Sequence, residues 1–355
     1  MPTTQTTPLS QLDEKQQAIL KQLANQVKRV FVTGAGGFLG KALCRSLRAA
    51  NIEVVGFARS DYPELKQMGV VLIKGDIADQ HALSDAMLGC DLVFHVASKA
   101  GVWGSKESYF QPNVSGTENI IQICQALNIP RLVYTSTPSV TFCGLDENGI
   151  DETQPYAQQF LNFYGLSKAI AEKRVLDANC AALKTVALRP HLIWGPGDPH
   201  LVPRVLQRAE AGKLKLVGKT DKLVDTIYID NAVYAHLLAA VKLNESQPVC
   251  AGKAYFLSND QPLLMAEMLN KILACKGLPP VTKRLPAALA YNVGMILEWI
   301  YLGLRKKEEP MMTRFVARQL STSHYFNISA AKRDLDYQPL VSIEQGMLKL
   351  QASLQ

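Results

Sequence analysis

Paired cysteines are missing from this sequence. Its seven cysteines, Cys44, Cys90, Cys124, Cys143, Cys180, Cys250 and Cys275, are odd in number and never fall in a CxxC pair. That spacing argues against a disulfide framework or a zinc site and reads as small buried hydrophobes in a reducing compartment; no metal site is expected. Charge is sparse too: 19% of residues are charged, and no run of five or six basic residues occurs. With 38 Lys and Arg against 31 Asp and Glu, the formal charge is +7, too small and dispersed an excess for nucleic acid. Residues 1–27 lack the apolar core of a secretory signal, so a cytoplasmic chain is expected. Low-complexity tracts and internal repeats are absent. What is present is 355 residues, 48% of them hydrophobic, the composition of a globular protein of roughly two domains.

Ahead of the first strand, an amphipathic helix is expected, capped by Ser10, with Leu12, Ile19, Leu20 and Leu23 at helical spacing. From Lys28 onward, short apolar runs alternate with helical segments. The runs are Arg29–Thr33, Glu53–Phe57, Val70–Lys74, Asp91–Val96, Arg131–Ser136 and Thr185–Arg189. The helices between them are expected at Leu39–Ala50, Gln80–Leu88, Ser115–Leu127 and Tyr164–Leu176. This alternation predicts right-handed βαβ units and a doubly wound, Rossmann-like parallel sheet, with ligands at the carboxyl ends of the strands. The expected division is an N-terminal extension (1–27), a dinucleotide-binding core (28–195) and a smaller, mostly helical substrate lobe (196–355), with 225–260 returning to the core. The segment Pro286–Leu304 is almost uninterruptedly apolar and is followed by Arg305-Lys306-Lys307. Glu298 in its middle weighs against a membrane span, so a core or pocket helix is expected, with an interfacial helix as the alternative.

Thr33-Gly34-Ala35-Gly36-Gly37-Phe38-Leu39-Gly40 closes a strand and opens a helix. Glycines at 34, 37 and 40 permit a tight turn, a close approach of pyrophosphate to backbone, and close helix–strand packing. The helix amino terminus then favours the anion. The second strand ends at Arg59-Ser60 with no acid at its tip, which suits a ribose 2′-phosphate and favours NADP, with NAD the alternative. Asp61, just beyond, is the competing carboxylate. Gly75-Asp76-Ile77 is positioned to meet the adenine, with turn capping the equal alternative for Asp76. Ala97 follows the fourth strand, where a small residue lets a cofactor lie along the backbone. His95 reads as structural.

Tyr164-Gly165-Leu166-Ser167-Lys168 sets a phenol and an ammonium at i, i+4 on one helix face. A nearby cation pulls a Tyr pKa down towards the working range. Together with the glycine loop, the strand end Tyr134–Thr137 and Arg189–Asp198, this motif resembles the extended short-chain dehydrogenase/reductases, in their 3β-hydroxysteroid dehydrogenase-like branch. The resemblance runs from Lys28 to the carboxyl end. Val102-Trp103-Gly104, Tyr134–Phe142 and Lys215–Asp230 look like bacterial 2-alkyl-3-oxoalkanoate reductases of long-chain olefin biosynthesis.

The resemblance implies a role for each matching residue. Tyr164 would protonate the carbonyl oxygen, and Lys168 would bind the nicotinamide ribose and acidify Tyr164. Thr137, with Ser136 the alternative one residue earlier, would hold the substrate oxygen. Asn113 would support the site through water or else cap a helix, and Pro190 and His191 would border the nicotinamide. The implied reaction is NADPH-dependent reduction of a ketone on a hydrophobic substrate, a 2-alkyl-3-oxoalkanoate. The alternatives are NAD-dependent sterol oxidation, nucleotide-sugar epimerisation and a non-enzymatic NADP sensor. A homodimer and assembly with other olefin-pathway enzymes are also implied, while peripheral membrane contact is the expectation that the apolar segment Pro286–Leu304 leaves open.

Overall fold

The short apolar runs assemble a seven-stranded sheet in which every neighbouring pair is parallel. The computed structural model describes residues 8–355, so residues 1–7 of the expected N-terminal extension lie outside the described residues. The sheet contains β1 (Arg29–Thr33), β2 (Glu53–Ala58), β3 (Val71–Lys74), β4 (Leu92–His95), β5 (Arg131–Thr135), β6 (Lys184–Pro190) and β7 (Lys253–Leu257), in the spatial order β7-β6-β5-β4-β1-β2-β3. The order reverses between β1 and β4, the switch point at which such sheets open a crevice for ligands.

Alternation along each strand sorts the side chains between two cores. Val30 and Val32 face α2 (Phe38–Ala49), whereas Phe31 faces the opposite layer. That layer is built from α4 (Gln80–Met87), α6 (Gly116–Ala126) and α7 (Phe163–Asp177), after short α3 (Pro63–Gln67) and α5 (Lys106–Phe110). The N-terminal helix α1 (Glu14–Ala24) buries Leu20 and Leu23 in the first core. Its cap is Asp13, whose carboxylate accepts from the Lys15 amide at 2.9 Å, and not Ser10, which lies in a separate turn, Leu9–Gln11. Asp13 stands at the position where the extended backbone turns helical, so its oxygen reaches the free amide.

Beyond β6 come α8 (Leu201–Glu210), α9 (Ile229–Lys242), α10 (Met265–Ala274), α11 (Ala287–Gly303), α12 (Arg314–Ser321), α13 (Ser329–Leu335) and α14 (Ile343–Leu354). Helix α9 is buried along almost its whole length against α1 and α2. A small sheet carries the short strands Glu147–Ile150, Leu223–Val224, Leu263–Leu264 and His324–Phe326.

Helix α11 departs from the expected core or pocket helix. Its inner stripe, Ala290, Gly294 and Glu298, is buried against the start of α12, and a Cβ on Gly294 would come within 2.6 Å of the Thr313 carbonyl carbon. The Glu298 carboxylate accepts from the Arg314 amide at 2.7 Å and its Nε at 2.6 Å. Ala287, Tyr291, Met295, Leu297 and Tyr301 are half-buried, whereas Leu289, Val293, Ile296, Trp299, Ile300 and Leu302 are exposed. No helix among the described residues is long and apolar enough to cross a membrane. The cysteines also divide: Cys44, Cys90, Cys124 and Cys250 are buried and Cys275 is half-buried, but Cys143 and Cys180 are exposed.

Candidate active site

β1 delivers the glycine loop to the carboxyl edge of the sheet, beside the end of β4. Gly34 adopts φ +65°, and a Cβ there would come within 2.8 Å of the Ala97 Cα. A Cβ on Gly40 would come within 2.2 Å of the Gly34 carbonyl oxygen. Only glycine lets the turn and α2 pack this closely. Behind the loop, Thr33 Oγ1 accepts from the Val96 and Ala97 amides, each at 3.0 Å. Its own proton therefore goes to His95 Nδ1 at 2.7 Å, and Nε2–H of His95 meets Thr117 Oγ1 at 2.9 Å. Thr117 in turn donates to the Asn113 carbonyl at 2.7 Å. Burial, reinforced by the nearby Lys168 charge, pulls the His95 pKa down to about 3. His95 is thus a neutral brace for the strand ends.

A cleft of about 570 Å³ opens over this edge. Of the expected site residues, Gly34, Gly36, Gly37, Phe38, Leu39, Gly40, Arg59, Ser60, Asp76, Ile77, Ala97, Ser136, Thr137, Tyr164, Pro190 and His191 line it. Asp61 does not; its carboxylate pairs with Lys66 at 2.8 Å, and that hydrogen bond holds it below the usual carboxylate range. Asp76 Oδ1 accepts from the Ala78 amide at 3.0 Å, so the turn-capping role is present while the residue also faces the cleft.

Tyr164 is brought next to Thr137, whose hydroxyl interacts with the phenol. Ser136 lines the same wall, its amide donating to the Leu188 carbonyl at 2.6 Å while its hydroxyl has no partner among the described residues. Lys168 and Asn113 lie behind the cleft surface. Lys168 Nζ donates to the Thr135 carbonyl at 2.6 Å and sits 4.1 Å from the Tyr134 ring centroid. Burial brings the Lys168 pKa down to about 7, partly opposed by Glu172. The expected acidification of Tyr164 does not appear: burial raises its pKa, offset only in part by Thr137. With its pKa near 7, Lys168 is only partly protonated at neutral pH, which reduces the average positive charge beside the phenol.

Asn113 caps no helix. It sits in a π-turn, Gln111–Ser115, its Oδ1 accepting from the Lys99 amide at 2.7 Å and its Nδ2 donating to the Lys99 carbonyl and Ser167 Oγ. It therefore fastens α7 to the loop after β4. On the far wall, His191 Nδ1 donates to the Asp225 carbonyl at 2.8 Å, and burial together with His324 lowers its pKa to about 3.

Sequence reasoning missed Tyr62, Lys99, His200, Leu201, Phe315 and Gln319, all of which line the cleft. The Tyr62 ring occupies the space where a Gly36 side chain would stand, 2.0 Å from an ideal Cβ. Lys99 Nζ donates to Ser108 Oγ at 2.7 Å and lies 4.7 Å from the Tyr109 ring centroid. Lys99, four residues beyond the fourth strand, was the one with a readable signal, a cation in the loop at a strand's carboxyl end. The others come from loops and lobe helices that carry no motif.

The donor set fits a dinucleotide. Gly37 begins α2 without a side-chain cap, leaving its first amides for an anion. Arg59 and Lys99 line the same cleft, and neither has a carboxylate partner among the described residues.

The profile of the 3-beta hydroxysteroid dehydrogenase/isomerase family matches residues 31–286. The chain is 64% identical to the 2-alkyl-3-oxoalkanoate reductase of Shewanella oneidensis, covering 97% of this chain and 90% of that one. It is 52% identical to the enzyme of the same name from Stenotrophomonas maltophilia, covering 92% and 99%. The sterol-4-alpha-carboxylate 3-dehydrogenase of Schizosaccharomyces pombe is 36% identical, covering 90% and 95%. Among solved structures, a dTDP-glucose 4,6-dehydratase double mutant from Streptomyces venezuelae with NAD bound superposes with a TM-score of 0.72 at 20% identity, covering 92% and 96%. That likeness is one of fold.

Proposed function

The chain belongs to the 3-beta hydroxysteroid dehydrogenase/isomerase family, and from that premise we propose that it reduces a 2-alkyl-3-oxoalkanoate to the 2-alkyl-3-hydroxyalkanoate with NADPH. It is an oxidoreductase that works with a nicotinamide dinucleotide. The reaction class is carried by one observation: Tyr164 and Thr137 meet in the cleft that the glycine loop lines. The substrate class rests on 64% identity to the reductase against 36% to the sterol enzyme.

When bound, the dinucleotide supplies the hydride. Gly34, Gly36, Gly37, Phe38, Leu39 and Gly40 would hold its pyrophosphate, and Arg59 with Ser60 its 2′-phosphate. Asp76 and Ile77 would meet the adenine; Ala97, Lys168, Pro190 and His191 would border the nicotinamide half. Asp61, engaged by Lys66, leaves Arg59 without a competing acid, which supports NADP over NAD. Tyr164 donates its proton to the carbonyl oxygen, and Thr137 holds that oxygen. A phenol kept protonated by burial is in the state a donor needs. Lys168 acts from behind through the Thr135 carbonyl, and Asn113 positions α7. Ser136 is the second hydroxyl for the substrate.

Residues 28–195 with 225–260 form the cofactor core in this reading, and the rest of 196–355 the substrate lobe. The enzyme works in the cytoplasm as a homodimer, touches membranes peripherally, and is placed among the enzymes that supply and consume the branched acid.

A panel of a synthetic 2-alkyl-3-oxo acid, a 3β-hydroxysterol and a nucleotide sugar, each assayed with both cofactors, tests the reading. Consumption of NADPH with the oxo acid is expected. Sterol oxidation with NAD, sugar turnover, or no turnover at all would each replace it. Arg59→Ala should weaken NADPH binding about 10- to 100-fold, the loss of a charge-assisted hydrogen-bond pair, with NADH unchanged. Equal loss for both cofactors would contradict the 2′-phosphate role.

A further inference from the structure

Arg59 and Lys99 are the only lysine or arginine side chains that line the cleft among the described residues. Arg59 serves the 2′-phosphate in the reading above. Lys168 is engaged behind the wall by the Thr135 carbonyl, and His191 is held neutral with its pKa down at about 3. Lys99 is left without a task, yet the fold holds it more firmly than a solvent-facing lysine requires.

Its backbone is clamped by a buried amide. Asn113 accepts from the Lys99 amide at 2.7 Å and donates to the Lys99 carbonyl at 3.1 Å. Asn113 Nδ2 also donates to Ser167 Oγ at 3.0 Å, and Ser167 Oγ donates to the Tyr164 carbonyl at 2.9 Å. Lys99 and the phenol that donates the proton are thereby set in register. The side chain is braced as well. Its ammonium donates to Ser108 Oγ at 2.7 Å, and Ser108 passes its own proton to the Ser105 carbonyl. The ammonium lies 4.7 Å from the Tyr109 ring centroid, and that ring stands 6.5 Å from the ring of Tyr164. The stretch Val102-Trp103-Gly104 shapes this seat. Val102 lines the cleft, and the Trp103 carbonyl accepts from the Tyr109 hydroxyl at 3.0 Å. A Cβ on Gly104 would come within 3.0 Å of the Lys99 ammonium, so the glycine leaves it room.

Substrate chemistry says what such a cation is for. Ser108 takes one of the three N–H donors of the ammonium and leaves the rest for a ligand. Burial, and after it the like charge of Arg59, lowers the Lys99 pKa, a cost that an arriving anion relieves. A 2-alkyl-3-oxo acid has its ketone and its carboxylate on the same carbon. Once Tyr164 and Thr137 hold the ketone oxygen, the carboxylate must meet a cation nearby or stand unpaired in the cleft. The dinucleotide pyrophosphate is the competing anion, but the uncapped amides at the start of α2 serve it, whereas the ties of Lys99 run to Tyr164. We propose that Lys99 is the residue that reads the substrate carboxylate: its ammonium pairs with that group while Tyr164 and Thr137 hold the ketone oxygen, so the cleft selects oxo acids over plain ketones. The proposal rests on the reductase reading and deepens it.

Wild type, Lys99→Gln and Lys99→Arg are assayed with NADPH on a short, water-soluble 2-alkyl-3-oxo acid and on the ketone of the same skeleton without the carboxylate. NADPH and NADH affinities are read alongside by fluorescence titration. Wild type should prefer the acid. Lys99→Gln should raise KM for the acid and cut the acid-to-ketone ratio of kcat/KM about 10- to 100-fold, the worth of a charge-assisted hydrogen bond. Lys99→Arg, which keeps the cation, should recover most of that ratio. Equal use of both compounds by wild type, or a Lys99→Gln loss shared by the two, would overturn the carboxylate role and leave the reductase reading standing. A Lys99→Gln loss of NADPH and NADH affinity alike would assign the ammonium to the pyrophosphate and overturn it too. Wild type that turns over neither compound would remove the reductase reading, and the proposal with it.

Discussion

Helices α7 and α11, of 15 and 17 residues, treat their side chains in opposite ways. On α7 the polar groups are inside: Ser167, Lys168 and Glu172 are all buried, and each has a partner. Ser167 accepts from Asn113, Lys168 donates to Thr135, and Glu172 takes both Arg189 and the Tyr156 hydroxyl at 2.8 Å. On α11 Leu289, Val293, Ile296, Trp299, Ile300 and Leu302 are outside, and the one buried polar group is Glu298. Neighbours explain the inversion. α7 lies among β5, β6 and the π-turn, whose carbonyls, guanidinium and amide complement its polar face, whereas α11 leans chiefly on α12 and leaves its other faces open. Burial here follows what the surroundings can satisfy, which is why the buried polar face of α7 marks the chemistry.

Each helix contains one buried carboxylate paired with an arginine, so the same substitution probes both. Glu172 and Arg189 are 0% and 5% exposed at their side chains and form a two-point contact with Nε–Oε2 at 3.0 Å. Glu172→Gln should cost about 3–5 kcal/mol by chemical denaturation, since it strands a buried guanidinium. A loss under 1 kcal/mol would mean that water reaches Arg189. Next in size, Tyr164→Phe should lower turnover about 10³-fold, the usual worth of a positioned proton donor, with NADPH affinity by fluorescence titration nearly unchanged. Unchanged turnover would remove Tyr164 from the chemistry.

The third test concerns acid. His95, His191 and His236 are neutral inside the fold, with pKa values lowered to about 3, 3 and 4, chiefly by burial. Between pH 6 and 5 the unfolded chain protonates all three while the native state does not. Asp225 opposes them, because burial raises it to about 7 and it binds its proton in the native state. The net excess is about two protons on the unfolded side, so stability should fall by roughly 3 kcal/mol per pH unit over this window. Unfolding midpoints across the window check it; a flat profile would mean that these rings exchange with solvent.

The core was legible because backbone geometry demands specific residues there. A turn with Gly34 at φ +65° and a helix packed as closely as Gly40 allows leave a trace that survives in sequence, and Tyr164–Lys168 shares one face by helical spacing alone. Lys168's true setting was not legible, since its carbonyl partner and its desolvation depend on β5 crossing beneath it. Nor were Phe315 and Gln319, which reach the cleft only through the way α12 folds back from α11. Apolarity alone made Pro286–Leu304 look like a core helix, because hydrophobic residues without a strict polar face carry no sign of which side has a neighbour.

Glu298→Gln is the smallest change and the sharpest use of the comparison. Arg314 is 40% exposed at its side chain, so losing the ion pair leaves its guanidinium in water rather than stranded. The amide oxygen of Gln can still accept from the Arg314 backbone at the start of α12. The cost should therefore be about 1 kcal/mol or less. Glu298→Ala, which also removes that acceptor, should cost about 1–3 kcal/mol. The gap between the two variants measures the backbone cap, and the gap between Glu298→Gln and Glu172→Gln measures desolvation of the arginine. If Glu298→Gln proved as damaging as Glu172→Gln, the seam between α11 and α12 would have to be covered in solution, because Arg314 lies at that seam and is 40% exposed there.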